Sequence, residues 1–93
     1  MHVAALRLEL VFVPALTARQ KRRLLQSMSR TLRKHFNISS HEVGDESRPS
    51  AASLGIVAVH KTRKGTHEVL QRVSELVRAH PRVQVVNTML VDL

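Results

Sequence analysis

The chain has no cysteine, no tryptophan and no tyrosine, and only two phenylalanines, Phe12 and Phe36. Without cysteine there is no disulfide, no thiolate nucleophile and no thiolate metal ligand, and a reducing compartment fits best. With only those two rings the chain lacks the aromatic set on which single-strand RNA readers stack unpaired bases. No run reaches the roughly 18 apolar residues that a membrane span needs. The opening MHVAALRLELVFV carries Arg7 and Glu9 inside its apolar run, unlike a secretory signal. A soluble, cytoplasmic protein with no membrane partner is the expectation.

The most telling scarcity is of negative charge. Between Glu9 and Glu42 there is no acidic residue, while Arg19, Lys21, Arg22, Arg23, Arg30, Arg33 and Lys34 all fall in that interval. The whole chain carries 15 Lys and Arg against 7 Asp and Glu, a net charge of +8. Such a balance favours an anionic partner. Arg19 with Arg23 and Arg30 with Lys34 are like-charge i,i+4 pairs, each costing a helix roughly 0.2–0.5 kcal/mol. Basic residues at a helix start also oppose the helix dipole. A helix that carries these costs is suited to face something anionic.

What is present reads as one domain of 93 residues. Residues 2–12 alternate, with Leu6, Leu8, Leu10 and Phe12 on one face, and predict a half-buried strand ended by Pro14. Thr17 and Gln20 form a capping box, so a helix starts there. Leu24, Leu25, Met28, Leu32 and Phe36 keep helical spacing, and Asn37 can stop the helix. Residues 37–43 predict a short strand, 44–50 a turn, and 53–60 a clearer strand with Leu54, Ile56 and Ala58 on one face. Lys61–Gly65 reads as a basic connection. Val69, Leu70, Val73, Leu76 and Val77 predict a second helix over 66–80, closed by Pro81. Residues 83–93 predict a last strand. The order strand, helix, strand, strand, helix, strand predicts an α+β, ferredoxin-like βαββαβ domain: one antiparallel four-stranded sheet with both helices on one face.

At about 100° per residue the basic residues of the first helix, except Lys21, lie opposite its apolar stripe. Arg19, Arg22, Arg23, Arg30, Arg33 and Lys34 are therefore the candidate nucleic-acid-binding residues. In this fold the connection 61–65 lies at the same end as the close of the helix, so Lys61, Arg63 and Lys64 extend the set. Lys21 falls inside the apolar stripe. Either its stem is buried with the ammonium in water, or the ammonium reaches over the strand ends as an anion contact.

Six histidines, at 2, 35, 41, 60, 67 and 80, raise the question of a metal. No pair has i,i+4 spacing on a helix and no HExxH occurs, so no metal site and no cofactor are expected. The closest group by sequence is His41 with Glu42, Asp45 and Glu46. Asp45 and Glu46 sit in an exposed turn where ion pairs to Arg19 or Arg22 are a simpler role than catalysis. No GxSxG pattern is present. No catalytic residue is expected, and the sequence identifies no small-molecule substrate. The last strand is apolar on both faces, Val83, Val85, Met89 and Val91 alternating with Val86 and Leu90. As an edge strand it invites a homodimer.

The run Thr17-Ala-Arg-Gln-Lys-Arg22 resembles the Ser-Leu-Lys-Glu-Lys-Arg motif of the YlxP-like family of small bacterial proteins of unknown function. The likeness continues through Leu32-Arg33, Phe36-Asn37, Ser40-His41-Glu42-Val43-Gly44, Leu54-Gly55-Ile56-Val57-Ala58-Val59 and His67-Glu68-Val69-Leu70. The resemblance implies a ferredoxin-like fold, a bacterial source and gene neighbourhoods rich in translation and ribosome-assembly factors. At 45–52 the chain departs from the family, with Asp-Glu-Ser-Arg-Pro-Ser-Ala-Ala where a Gln-Asp-x-Trp-Gln-Arg-like stretch is usual. The expected function is a non-enzymatic basic module that binds structured RNA or ribosomal particles through phosphates. The alternative is a protein-interaction adaptor or homo-oligomeric scaffold that uses the apolar last strand.

Overall fold

The computed structural model describes residues 1–93. The elements are β1 (His2–Phe12), α1 (Ala18–His35), β2 (Ile38–Val43), β3 (Ala51–His60), α2 (Arg63–Arg78) and β4 (Val83–Asp92). The strands form one antiparallel sheet in the order β2-β3-β1-β4, the ferredoxin-like arrangement expected. Alternation builds the core. Ala4, Leu6, Leu8, Leu10 and Phe12 of β1 and Ala52, Leu54, Ile56 and Ala58 of β3 are all buried on the helix side. Leu25, Met28 and Leu32 of α1 and Leu70, Val73 and Val77 of α2 close that side. Helix α1 lies along the β2 flank, while α2 covers β1, β3 and β4.

Local signals explain where α1 begins. Thr17 Oγ1 accepts from the Gln20 amide at 3.2 Å and Gln20 Oε1 accepts from the Thr17 amide at 2.9 Å, completing the box. Its last helical residue is His35, with Phe36 as an extended cap. Helix α2 starts at Arg63, three residues before the expected start at Thr66. Thr62 caps it, its hydroxyl accepting from the Gly65 amide at 3.0 Å. Arg63, Lys64 and Gly65 are thus its first turn, not a connection. A glycine in the first turn concealed the start, because glycine normally weakens a helix.

Gly44 closes β2 with a φ of +73°, a backbone conformation that side chains with a Cβ adopt at a cost.

The last strand lies at the sheet edge as expected, but its faces do not. A bulge falls where β1 passes from Glu9 to Leu10: Glu9 pairs with Asn87 and Leu10 with Val85, leaving Val86 unpaired. One extra residue reverses every side chain beyond it. Val83 and Val85 therefore sit on the core side beside Phe12 and Leu10. Met89 and Val91 stand on the opposite, open face beside Arg7 and Ala5. The strict alternation read from the sequence joined residues that the bulge separates.

On that open face Arg7, Glu9 and Ser53 form a closed polar trio. Arg7 Nε donates to Glu9 Oε1 at 2.7 Å, and the Ser53 hydroxyl donates to Glu9 Oε2. The Ser53 hydrogen bond, followed by that of Arg7, holds the Glu9 carboxyl below its ordinary value. A carboxylate depressed in the fold stabilises it above the unfolded pKa and loses that contribution as pH falls. Glu9→Gln should therefore lower stability at neutral pH and flatten its decline below about pH 4.5. Urea unfolding across that acid range, compared with the parent protein, checks this. An unchanged slope would show that the trio does not couple to folding.

Candidate nucleic-acid interface

Every one of Arg19, Arg22, Arg23, Arg30, Arg33 and Lys34 is exposed. They occupy an arc of about 120° around α1, opposite the buried Leu25, Met28 and Leu32. None of the six takes part in an ion pair, and the first turn of α1 holds no acid. Of the surrounding carboxylates, Glu42 and Asp45 are engaged elsewhere and Glu46 pairs with none of the six. Glu42 pairs with Lys21 at 2.9 Å. Asp45 accepts from the Ser47 hydroxyl and amide, which hold its carboxyl below the ordinary value, and Arg48 lies 3.9 Å away. The pairing of Asp45 or Glu46 with Arg19 or Arg22, expected from the sequence, does not form.

Between α1 and the β2 edge runs a cleft of about 350 Å³. Arg22, Arg30 and Arg33 rim it, with Gln26 and Ser29 between them on the helix side and Ser40, His41 and Glu42 on the strand side. Ser40 is 4% exposed and its hydroxyl has no hydrogen-bond partner within the protein. Three guanidiniums over a wall of amide and hydroxyl groups, with the Glu42 carboxylate there neutralised by Lys21, can hold an oxyanion through charge-assisted hydrogen bonds. Gln26, Ser29 and Ser40 were not singled out from the sequence. Gln26 and Ser29 follow from the same helical spacing as the arginines, whereas Ser40 needs the β2 pairing to place it.

The second part of the predicted surface is more dispersed. Lys61, Arg63 and Lys64 do lie at the end where α1 finishes, since Ile38 pairs with Ala58 near the close of β3. Lys61 is exposed with no ion pair. Arg63 Nε, however, donates to Asp92 Oδ2 at 3.1 Å, which draws it toward the β4 edge, and Lys64 is 3.9 Å from Glu68. Of these three, Lys61 alone continues an unpaired cationic surface.

Lys21 is corrected outright. It is 4% exposed, so its head is not in water, and it is not available as an anion contact. Its Nζ donates to Glu42 Oε2 at 2.9 Å and to the carbonyls of Glu46 at 2.9 Å and Arg48 at 2.6 Å, with the Ala51 carbonyl at 3.4 Å. The β2–β3 hairpin folds back over the first turn of α1, so the ammonium spends its donors inside the molecule.

Two other surfaces carry chemistry. On the open sheet face, Ala5, Val57, Val43, Met89 and Val91 line a depression of about 280 Å³ over Gly55. At the end formed by the start of β1, the close of β4 and the first turns of α2, His2, His67 and Asp92 converge. The hydrogen bond from His67, then that from His2, then that from Arg63 hold the Asp92 carboxyl well below the usual carboxylate range. Local spacing could not reveal this group, because its members come from three elements. No helix is long and apolar enough to cross a membrane.

Comparison with known proteins places these features in a family. Over 76 residues the chain is 29% identical to the uncharacterized protein YlxP of Bacillus subtilis (strain 168), covering 82% of this chain and 83% of that protein. Residues 3–90, nearly the full βαββαβ unit with the cationic helix inside it, match the family described as "Protein of unknown function (DUF503)". The chain belongs to that family, and the YlxP-like resemblance of the Thr17–Arg22 run holds across the domain.

Proposed function

We propose that this protein is a cytoplasmic, non-enzymatic module that docks on structured RNA, such as that of a ribosomal particle, through phosphate contacts along α1. One observation carries the reading: six exposed Lys and Arg residues share one helix face without a single ion pair among them. A solvated helix gains by interleaving opposite charges, and this face forgoes that gain. Phosphate oxygens provide the missing counter-charge. The scarcity of aromatic rings points to recognition by shape and backbone, with little sequence preference. Binding to a folded ribosomal RNA fragment should weaken steeply with salt. Six contacts predict a slope of log K against log salt of about −5. Association that does not respond to salt would overturn the proposal.

A second reading rests on the apolar side chains left uncovered. Met89 is 56% and Leu93 72% exposed, beside Val57, Val59 and Val91 on the open face. A homodimer through β4 or this face, or an adaptor contact with another protein, would cover them. Sedimentation at tens of micromolar should then show a dimer that Met89→Lys dissociates. A strict monomer removes the homodimer. Pull-downs that survive nuclease and high salt would favour the adaptor over RNA docking.

A further inference from the structure

Away from α1, at the end where the chain's first and last strands lie side by side, one cluster is used neither by the core nor by the RNA reading. His2 Nε2 and His67 Nε2 stand 2.8 Å and 2.7 Å from the same atom, Asp92 Oδ1. The three donor atoms all lie within 4.8 Å of one another. The two imidazoles pack edge to face, with centroids 6.3 Å apart. Their side chains remain 22% and 31% accessible, and that of Asp92 34%. We propose that His2, His67 and Asp92 form a binding site for a divalent transition-metal ion of the zinc type, with water in the remaining position.

The donor set argues for that class of ion. Two imidazole nitrogens and one carboxylate oxygen are a recurrent three-ligand set for zinc, leaving a fourth tetrahedral position to solvent. Both Nε2 atoms now donate to one oxygen; an ion that displaces those two protons, each ring keeping its hydrogen on Nδ1, meets three lone pairs from three separate elements. Bonds of about 2.0–2.1 Å in tetrahedral geometry place donors about 3.3 Å apart. The present separations of 2.7–2.8 Å must therefore open by about half an ångström, which partly exposed side chains can do by small rotations. Arg63 Nε holds the second oxygen, Oδ2, at 3.1 Å. It orients the carboxylate so that Oδ1 alone is presented, as outer-shell partners of metal ligands do. A single carboxylate already bonded to a guanidinium suits neither calcium nor magnesium, which take several oxygens. Imidazole selects the later transition metals.

Bound there, the ion would fasten the end of β4 to α2 and to the start of β1. Strand β4 is an edge strand that otherwise pairs with β1 alone. Metal loading would thus act as a staple on that exposed edge, independent of the α1 face.

The test uses the chain from Met1 onward with no added N-terminal tag beside His2. Calorimetric titration with zinc chloride should give one ion per chain, and cobalt(II) should develop the visible absorption of a tetrahedral site. Zinc at about a hundredfold over its dissociation constant should also raise Tm by about 10 °C or more. His67→Ala and Asp92→Asn should each weaken zinc at least tenfold and abolish the Tm rise, while His80→Ala and His41→Ala leave both unchanged. Magnesium should not compete. Circular dichroism of the variants confirms that they fold. The proposal is overturned if zinc at about 100 µM does not bind stoichiometrically. Equal affinity in the His67 variant, or one ion shared by two chains, would overturn it as well.

Discussion

Lys21→Met should lower the stability of the protein by about 3–5 kcal/mol, the range for removing one partner of a buried ion pair. Methionine retains the length and apolar stem, so little packing is lost and the effect isolates the ammonium. Its removal strands the Glu42 carboxylate, whose side chain is 20% exposed, and takes the donor from the Glu46 and Arg48 carbonyls. Unsatisfied groups of this kind carry their full desolvation cost. For a domain of this size about 1 kcal/mol corresponds to 4–8 °C, so a fall in Tm of more than about 10 °C is expected. Thermal and urea unfolding measure it. The double substitution Lys21→Met with Glu42→Leu should recover part of the loss, because it removes the orphaned charge along with its partner. A single-variant loss under about 1 kcal/mol would show that the hairpin holds its shape without the lysine.

Lys21 also marks where sequence reasoning stopped. Its position in the apolar stripe of α1 was legible from helical spacing alone. Its partners were not, since Glu42, Glu46 and Arg48 reach it only once the β2–β3 hairpin closes over the first turn. The same division runs through the molecule. Period-2 alternation placed Leu6, Leu8, Leu10 and Phe12 on the core side of β1, and the Thr17–Gln20 box located the start of α1, because those signals are local. The bulge at Val86 carried no local mark. A β-branched run reads as regular strand, and the extra residue is defined only by the pairing of β1 with β4. Likewise, the six cations of α1 follow from 100° per residue, whereas the capture of Arg63 by Asp92 depends on which strand lies at the edge. His2 and Asp92 are separated by most of the chain and are joined by antiparallel pairing of β1 with β4, while His67 reaches them only because α2 packs on that end of the sheet.

Arg30→Glu combined with Arg33→Glu should abolish retention on structured RNA at moderate salt while the fold stays intact. Both side chains rim the cleft between α1 and β2, and reversing them replaces two phosphate-binding cations with two repulsive anions. The magnitude of the salt slope should drop by about 2, one for each phosphate no longer neutralised. Stability should barely move. In the parent, Arg30 and Lys34 repel at i,i+4, and the exchange at position 30 makes that pair attractive by roughly 0.2–0.5 kcal/mol. Against this, Glu at position 33 in the last turn meets the negative end of the helix dipole, at roughly 0.3–1 kcal/mol. Neither residue contributes to the core, so Tm should stay close to that of the parent. Lost binding at nearly unchanged stability separates this outcome from simple unfolding, which would lower both. Arg72→Glu, an exposed exchange on α2, should leave retention nearly unchanged, which separates a localised face from the effect of net charge alone. Filter binding over a salt series, paired with calorimetric Tm, provides both readouts. Should the doubly reversed protein bind as tightly as the parent, the cationic face of α1 is a solubilising surface, and the uncovered β4 edge becomes the place to look for a partner.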